Sequence, residues 1–594
     1  MEKWYVSAKK ADFQKIAEEF GISPVVARII RNRDVEGSEA IRRFLYGGIE
    51  DFYNPWLLQG MDKAVELLVH GISGKKKIRI IGDYDVDGIC ATHILYVGLC
   101  EAGALVDTAI PHRMKDGYGL NEHLIEEAFE AGIEMLVTCD NGIAAASQIA
   151  LAKSLGMEVL VTDHHEVPFE ELDGEKRELL PPADAVIDPR QASCNYPFPG
   201  ICGAVVALKV VQAFFQKTAP EKEKEMVDRL LPFAALATVC DVMELLDENR
   251  ILVKEGLKRL RLAPCTGLLA LMQVNGLEPA GLTAYHLGFV LGPCLNATGR
   301  LDTAKRALEL LGATDRNQAM QLASELKELN DSRKAMTAKG VEEAHAFLAE
   351  EGLLQDKVLV VYLKDCHESL AGIIAGRLRE CYGKPVFVLT DSEEGVKGSG
   401  RSIDAYHMYE EMVKCRDCFT KFGGHKLAAG LSIDAKHFAE IGGLEGLRKR
   451  LNDSCQLQPE DFIRKVHIDV PMPLSYASLE LAGQLELLEP FGVGNPKPLF
   501  AQKDVLFIGG KRMGANQSFA RYQVQDDTGK RQELVFFGNL DAFHGFLTEK
   551  FGPNAATRLY SGQACHFAIS ITYQLGINTF RGTEHVQMIL QDYS

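Results

Sequence analysis

The feature that most constrains this chain is an alternation. Between about residues 60 and 215, short apolar runs (KIRIIG, ALVDTAIP, MLVTCD, EVLVTDHH, ADAVIDP) alternate with helical patterns such as ATHILYVGLCEAG, EHLIEEAFEAG and AAASQIALAKSLG. Strands regularly separated by helices predict a parallel, doubly wound sheet. Such sheets bind ligands at the carboxyl ends of their strands, and the charged motifs of this chain fall there.

The first motif is IRIIGDYDVDGICATHI, where Asp83, Asp85 and Asp87 crowd between a strand and a helix. Like charges so close repel, and a hard divalent cation is what oxygen ligands of this kind neutralise. A solvated turn at Asp87–Gly88 is the bland alternative, and an EF-hand loop disagrees with the apolar flanks. MLVTCDNG delivers Asp140 from another strand, and VLVTDHHE delivers Asp163, His164 and His165. Neighbouring histidines point to different sides, so one can ligate a metal while the other faces a substrate. Asp241 lies inside the apolar run FAALATVCDVMELL, and a buried lone carboxylate is costly unless paired or metal-bound. Several strands of one sheet thus aim Asp and His at one rim. A mixed set of this kind suits two divalent ions about 3.5–4 Å apart with one carboxylate bridging. The imidazole favours Mn²⁺, with Mg²⁺ as the alternative.

The expected fold class is α/β and multidomain. A helical cap covers residues 1–58, the parallel-sheet catalytic domain 59–310, and a long polar connecting helix 311–352. A second, smaller α/β domain follows at 353–456. Residues 457–594 change to strands separated by polar turns, the pattern of a small antiparallel barrel of the OB type. The connecting helix, from about Asp315 to Glu351, would extend about 50 Å at about 1.5 Å per residue.

Composition constrains the rest. A net charge of −17 over 594 residues argues against indiscriminate coating of nucleic acid, so any such contact must be local. No apolar run is long enough for a membrane span, and the N-terminus lacks the core of a secretory signal. Fourteen scattered cysteines read as reduced thiols of a cytoplasmic protein. Cys415 and Cys418, with His425 nearby, lack the second pair that a structural zinc site needs.

DYDVDG, DNG and DHH in this order resemble the DHH phosphoesterase superfamily. Residues 60–594 resemble its bacterial branch of single-strand-specific 5′→3′ exonucleases, through GPCLNATGRLD (292–302), HESLAGIIAGRL (367–378), KGSGRS (397–402) and FGGHKLAAG (422–430). The resemblance implies that Asp83 and Asp85 each bind one metal, that Asp140 bridges both, and that His164 and Asp241 complete the second site. It makes His165 the group that contacts the phosphate or positions the nucleophile. Asp87 becomes a supporting residue, and Asp163 orients the strand end or a histidine. Arg113 and Arg300 would contact phosphate, with Arg113 catalytic, and Asn296 would contact substrate. Ser399 and Arg401 would form part of a 5′-end pocket, and Gly423, Gly424 and His425 would let backbone approach the strand. Where the branch reads Gly-Pro-Arg-x-Asn, this chain has Gly292-Pro293-Cys294-Leu295-Asn296, so one phosphate contact is lacking. In the barrel, Phe519, Tyr522, Phe536, Phe537 and Tyr573 are candidate stacking platforms, although strand alternation buries about half of any such set.

The implied activity is metal-dependent hydrolysis of single-stranded DNA from its 5′ end to nucleoside 5′-monophosphates, in recombination and repair. The implied partners are the single strand, with a helicase and a single-strand-binding protein as further candidates, no membrane, and a monomeric state. Two other readings stay open. One is a phosphodiesterase for short oligoribonucleotides or cyclic dinucleotides. The other is an inactive single-strand-binding scaffold, which the retained metal-ligand set disfavours.

Overall fold

The computed structural model describes residues 2–112, 119–172, 175–301, 303–526, 528–561 and 565–594. The chain forms two compact units. The larger holds Tyr5–Gly299, Thr303–Ser324 and His467–Ser594, and the smaller is built on Glu325–Val466.

The larger unit contains the anticipated parallel sheet: β1 (Lys77–Ile81), β2 (Leu105–Ala109), β3 (Met135–Cys139), β4 (Glu158–Thr162) and β5 (Ala185–Ile187), ordered β2-β1-β3-β4-β5. The order reverses between β1 and β3, and the crevice outside their carboxyl ends is where such a sheet binds ligands. Every residue of β3 is buried, as expected of a strand covered on both faces. Helix α1 (Val86–Glu101) leaves β1 and is buried on almost every side, so it lacks the polar face of a surface helix. It packs against α2 (Gly203–Thr218) and α3 (Pro220–Cys240). Helices α4 (Asp247–Leu262) and α5 (Gly292–Leu301) follow, and then the long helix α6 (Arg316–Glu350), whose residues from Glu325 onward belong to the smaller unit. A hairpin, Phe169–Leu172 with Glu175–Glu178, has no counterpart in the sequence expectation. Among the described residues no helix is long and apolar enough to cross a membrane.

In the smaller unit, β6 (Leu359–Tyr362), β7 (Val386–Ser392), β8 (Gly395–Arg401), β9 (Lys421–Gly424) and β10 (Ala428–Asp434) are ordered β9-β10-β8-β7-β6. Only β6 and β7 run parallel. Alternate residues feed two apolar layers, Val360, Phe387 and Leu389 on one face and Val361, Val386 and Val388 on the other, the latter covered by α7 (Glu368–Tyr382).

The C-terminal strands β11 (Phe500–Met513), β12 (Phe519–Gln525), β13 (Arg531–Phe536), β14 (Phe567–Phe580) and β15 (Thr583–Tyr593) close into a barrel through the β11–β14 pairing, the five-stranded OB arrangement. The N-terminus departs from the all-helical expectation. It opens with a strand, Glu2–Val6, and the helices after it share one core with the barrel: Val26, Ile29, Ile30 and Phe44 belong with Phe500, Phe507 and Ile571. Arg33 and Asp469, both buried, seal this junction with paired bonds of 2.5 and 3.1 Å.

Arg250 on α4 ties three segments together. Only 1% exposed, its guanidinium donates to the carbonyls of Phe44 (2.7 Å), Leu487 (2.9 Å), Leu488 (2.8 Å) and Pro490 (3.3 Å) and lies over the Phe44 ring. Burial lowers its pKa to about 9. Removing this cation strands buried carbonyls, so Arg250→Leu is expected to lower stability by roughly 3 kcal/mol. A urea-unfolding midpoint equal to wild type would contradict this role.

Candidate metal centre

The chain leaves β1 at Gly82 and turns through Asp83, Tyr84 and Asp85 into α1. Asp85 caps that helix and accepts from the Gly88 amide at 3.0 Å. The turn closes tightly, since a Cβ at Gly88 would lie 2.5 Å from the Asp83 nitrogen and 2.6 Å from its carbonyl oxygen. Asp87 points away from this turn. Its two oxygens accept from the amides of Gly203 (2.7 Å) and Ala204 (2.8 Å), the first residues of α2, where the helix dipole favours a carboxylate. Asp140 follows β3 with φ +60°, held by its own amide on the Thr162 carbonyl at 3.1 Å. Asn141 braces that turn by donating to the carbonyls of Ile81 (3.1 Å) and Cys139 (2.9 Å). Asp241 ends α3, and Val242 after it has φ +60°, costly for a β-branched residue.

These elements converge. Asp83, Asp85 and Asp140 offer oxygens within 4.8 Å of one another, and so do the ligand atoms of Asp87, His164 and Asp241 and those of Asp140, His164 and His165. Asp140 therefore belongs to two overlapping groups. His164 Nε2 is 3.1 Å from Asp140 Oδ1, 3.5 Å from Asp87 Oδ2 and 3.8 Å from Asp241 Oδ2. Asp163 turns away and locks the loop: its Oδ1 accepts from the His164 amide (2.8 Å) and meets His165 Nδ1 (2.7 Å), while Oδ2 accepts from the Ile143 amide (2.9 Å).

The electrostatics follow from packing like charges in a low-dielectric crevice. Burial, then the charges of Asp87 and Asp85, raise Asp140 well above the carboxylate range and bring Asp241 to about 8. Burial and then Asp87 raise Asp85. Burial keeps His164 below the ordinary imidazole value, which suits a neutral ligand. Burial also acts to lower His165, but the bond and charge of Asp163, with Asp241 and Asp87, outweigh it and raise His165 to about 9. Asp163 has the converse balance: burial raises it, and the His165 contacts with the Ile143 amide bring it below normal.

The other anticipated residues distribute differently. Arg113 lies outside the described residues. Asn296 Oδ1 accepts from the Val86 amide at 3.2 Å, so it also pins the start of α1. Arg300 donates to the Ser369 carbonyl at 2.7 Å. In the smaller unit, Ser399 and Gly423 both sit opposite Gly430 across adjacent strands, and a Cβ at Gly423 would meet nothing within 4 Å. Gly424 has φ +155°, His425 is exposed, and Arg401 packs over Gly372. Cys294 is fully buried, its Sγ donating to the Val290 carbonyl at 3.3 Å. Among the aromatic candidates, Tyr522, Phe536 and Tyr573 are barrel core and are withdrawn as platforms, because their positions on the strands point inward. Phe519 and Phe537 remain, with ring centroids 5.2 Å apart and Phe537 57% exposed.

Two features escape the sequence reading. Asp87 is anchored on the amides that open α2, and its Oδ2 lies 3.5 Å from His164 Nε2. Asp188 follows β5 by the same strand-end rule that finds the others; it is fully buried, with Oδ2 unbonded and its pKa raised by burial to about 8.

Because Asp140 and Asp241 are raised, the metal-free fold must lose stability as pH climbs from the ordinary carboxylate range of about 4 towards 8. The unfolding midpoint in EDTA is expected to fall over that interval and to recover on adding Mn²⁺. Mn²⁺ binding at pH 7 is expected to release protons, visible as calorimetric heats that differ between buffers of unlike ionisation enthalpy; equal heats would contradict the assignment. Gly88→Ala is expected to weaken Mn²⁺ uptake at least about tenfold by forcing the Asp83 turn open.

Comparison with known proteins places these features in a family. Residues 77–238 match the DHH family, N-terminal domain, residues 355–453 the DHHA1 domain, and residues 468–592 the RecJ OB domain. The single-stranded-DNA-specific exonuclease RecJ of Bacillus subtilis is 33% identical over 99% of this chain and 70% of its own length. That of Escherichia coli is 31% identical over 96% of each chain. The crystal structure of RecJ in complex with Mn²⁺ from Thermus thermophilus shares the fold, with a TM-score of 0.79 over 100% of this chain and 79% of that one, at 24% identity. A crystal structure of exonuclease RecJ bound to manganese gives a TM-score of 0.56 at 30% identity over 68% of this chain and 96% of that one. The chain belongs to the RecJ family of single-stranded-DNA-specific exonucleases.

Proposed function

We propose that this chain is a metal-dependent exonuclease that hydrolyses single-stranded DNA from its 5′ end and releases nucleoside 5′-monophosphates. The observation that carries this reading is the convergence of Asp83, Asp85, Asp140, His164 and Asp241, with Asp140 common to two ligand groups, in a chain whose relatives are named single-stranded-DNA-specific exonucleases. The donor set fits divalent cations: carboxylates for Mn²⁺ or Mg²⁺, and a neutral imidazole that Mn²⁺ tolerates better. Related RecJ crystal structures contain Mn²⁺ and Mg²⁺. Two such ions would be held by Asp83 and Asp85 on one side and His164 and Asp241 on the other, with Asp140 between them. They would supply a water acidified to hydroxide and neutralise charge on the phosphate.

The chain's own groups perform the remaining work. His165, 45% exposed and fixed through Nδ1 by Asp163, keeps a proton on Nε2 for a phosphoryl or leaving-group oxygen. Asp163 fixes its tautomer and sustains its charge, the part a buried carboxylate plays behind a catalytic histidine. In the smaller unit, the row Ser399, Gly430 and Gly423 offers bare backbone to which the strand's 5′ end can come close. On the barrel, Phe519 and Phe537 offer faces for stacking bases. The 5′ polarity rests on the family resemblance. The cysteines are all free, which supports a reducing cytoplasm.

On 5′- and 3′-end-labelled strands with Mn²⁺, Asp140→Ala is expected to lose hydrolysis by at least about 10²-fold while keeping single-strand binding; undiminished turnover would refute the reading. Asp163→Asn is expected to lower kcat by about 10²-fold or more. Activity that needs the His165 proton is expected to fall at alkaline pH, because the Asp163 carboxylate holds that proton above the ordinary imidazole range, and in Asp163→Asn that fall moves to lower pH. An unshifted profile would remove Asp163 from this role.

A further inference from the structure

A cavity of about 830 Å³ opens within the larger unit beside the Asp241 turn. One wall is the end of α3 and the residues after it, Val239 to Met243 apart from Asp241 itself. The facing wall is Thr283–Phe289, which includes the start of a π-helical turn, Leu287–Leu291, a feature frequent at functional sites. The third wall is the loop Glu489–Lys497 that runs into β11. The cavity is preformed. The Leu245 amide donates to the Val493 carbonyl at 2.8 Å, and Asn495 donates to the carbonyls of Leu488 and Pro490 at 2.7 and 2.9 Å. The π turn packs directly on α3, since a Cβ at Gly288 would lie 3.1 Å from Val239.

Its lining is unusual for a surface in water. Tyr285 and Phe289 stack with centroids 5.0 Å apart at 24°, yet are 63% and 69% exposed, and Val242 at the same cavity is 66% exposed. A parallel aromatic pair held open to solvent spends no apolar area on the core, and exposed apolar patches of this kind mark binding surfaces. The charges lining the cavity are Lys254, Arg261 and Lys497 against the single carboxylate of Glu489. Arg261 is held in place by the Leu282 carbonyl, which accepts from its Nε at 2.8 Å and its Nη2 at 2.5 Å. Aromatic faces beside an excess of cations suit a polyanion with flat apolar groups. The cavity also shares the Val239–Met243 segment with a candidate metal ligand and, through its loop, adjoins the barrel.

We infer that this cavity is a stacking subsite for the nucleobases that follow the scissile phosphate, with Tyr285 and Phe289 as the shelf and Lys254, Arg261 and Lys497 facing the backbone. The inference rests on the single-strand reading above but not on turnover. It leads the strand from the barrel past the Asp241 turn to the metal centre.

The test is fluorescence anisotropy of a 3′-labelled single strand on the full chain in EDTA, so that binding is read without cleavage. Tyr285→Ala/Phe289→Ala is expected to weaken binding about tenfold, and Tyr285→Phe alone, which keeps the ring, to bind as wild type does. With Mn²⁺, the double variant is expected to raise KM more than it lowers kcat. An oligonucleotide with abasic sugars just after its first nucleotide is expected to bind wild type about tenfold more weakly and to cost the double variant nothing further. Undiminished binding by the double variant, or an abasic penalty that adds in full to that of the variant, would overturn the inference. The abasic strand on wild type tests the subsite even if the variant misfolds. Loss of the hydrolytic reading would show separately, as unchanged cleavage by Asp140→Ala.

Discussion

The structure depends on one electrostatic constraint: several carboxylates are taken out of water at a single rim. Asp83, Asp87, Asp140 and Asp163 are buried there, with Asp85 and Asp241 beside them. Unneutralised, these charges repel at short range in a medium that screens poorly. The fold answers part of this itself. Asp87 is satisfied by two amides of α2, and Asp163 by backbone amides and His165. The rest, Asp83, Asp85, Asp140 and Asp241 with neutral His164, has the composition of a divalent-cation site. The same crowding separates the histidines' roles, because burial lowers His164 while Asp163 raises His165.

Holding such a site demands rigid support, and its sources lie far along the chain. β1, β3 and β4 fix three of the contributing loops, and α3 fixes the fourth. Behind α3 and α4, Arg250 gathers carbonyls from the N-terminal helices and from the segment leading into the barrel. The N-terminal helices and the barrel share a single core. Val242 in a left-handed conformation is the local strain of this arrangement: the backbone is forced where the turn must place Asp241, and the surrounding packing sustains it.

The sheet and the convergence of candidate metal ligands are legible in the sequence for a simple reason. A short apolar run ending in Asp announces both the strand and the place where its carboxyl end opens, and the alternation with helices makes the strands parallel. Asp188 obeys that rule yet escapes notice because Pro189 follows it, where the DYD and DHH motifs place a further acidic or imidazole side chain close by. The role of Asp87 is hidden because its bonding depends on the N-terminus of α2, more than a hundred residues away. Sorting the barrel aromatics needs the register of closure, which local alternation does not give; Tyr522 and Phe536 turn inward while Phe537, the next residue, turns out. The shared core of N-terminal helices and barrel is equally hidden, since nothing in FQKIAEEF or PVVARIIRN specifies a partner more than four hundred residues on.

The central claim is that Asp140 is shared between two divalent ions. Electron paramagnetic resonance of the chain loaded with Mn²⁺ tests it most directly. Two ions about 3.5–4 Å apart give an exchange-coupled spectrum that reaches full intensity only at two equivalents. An uncoupled six-line signal, saturating at one equivalent, would contradict the account.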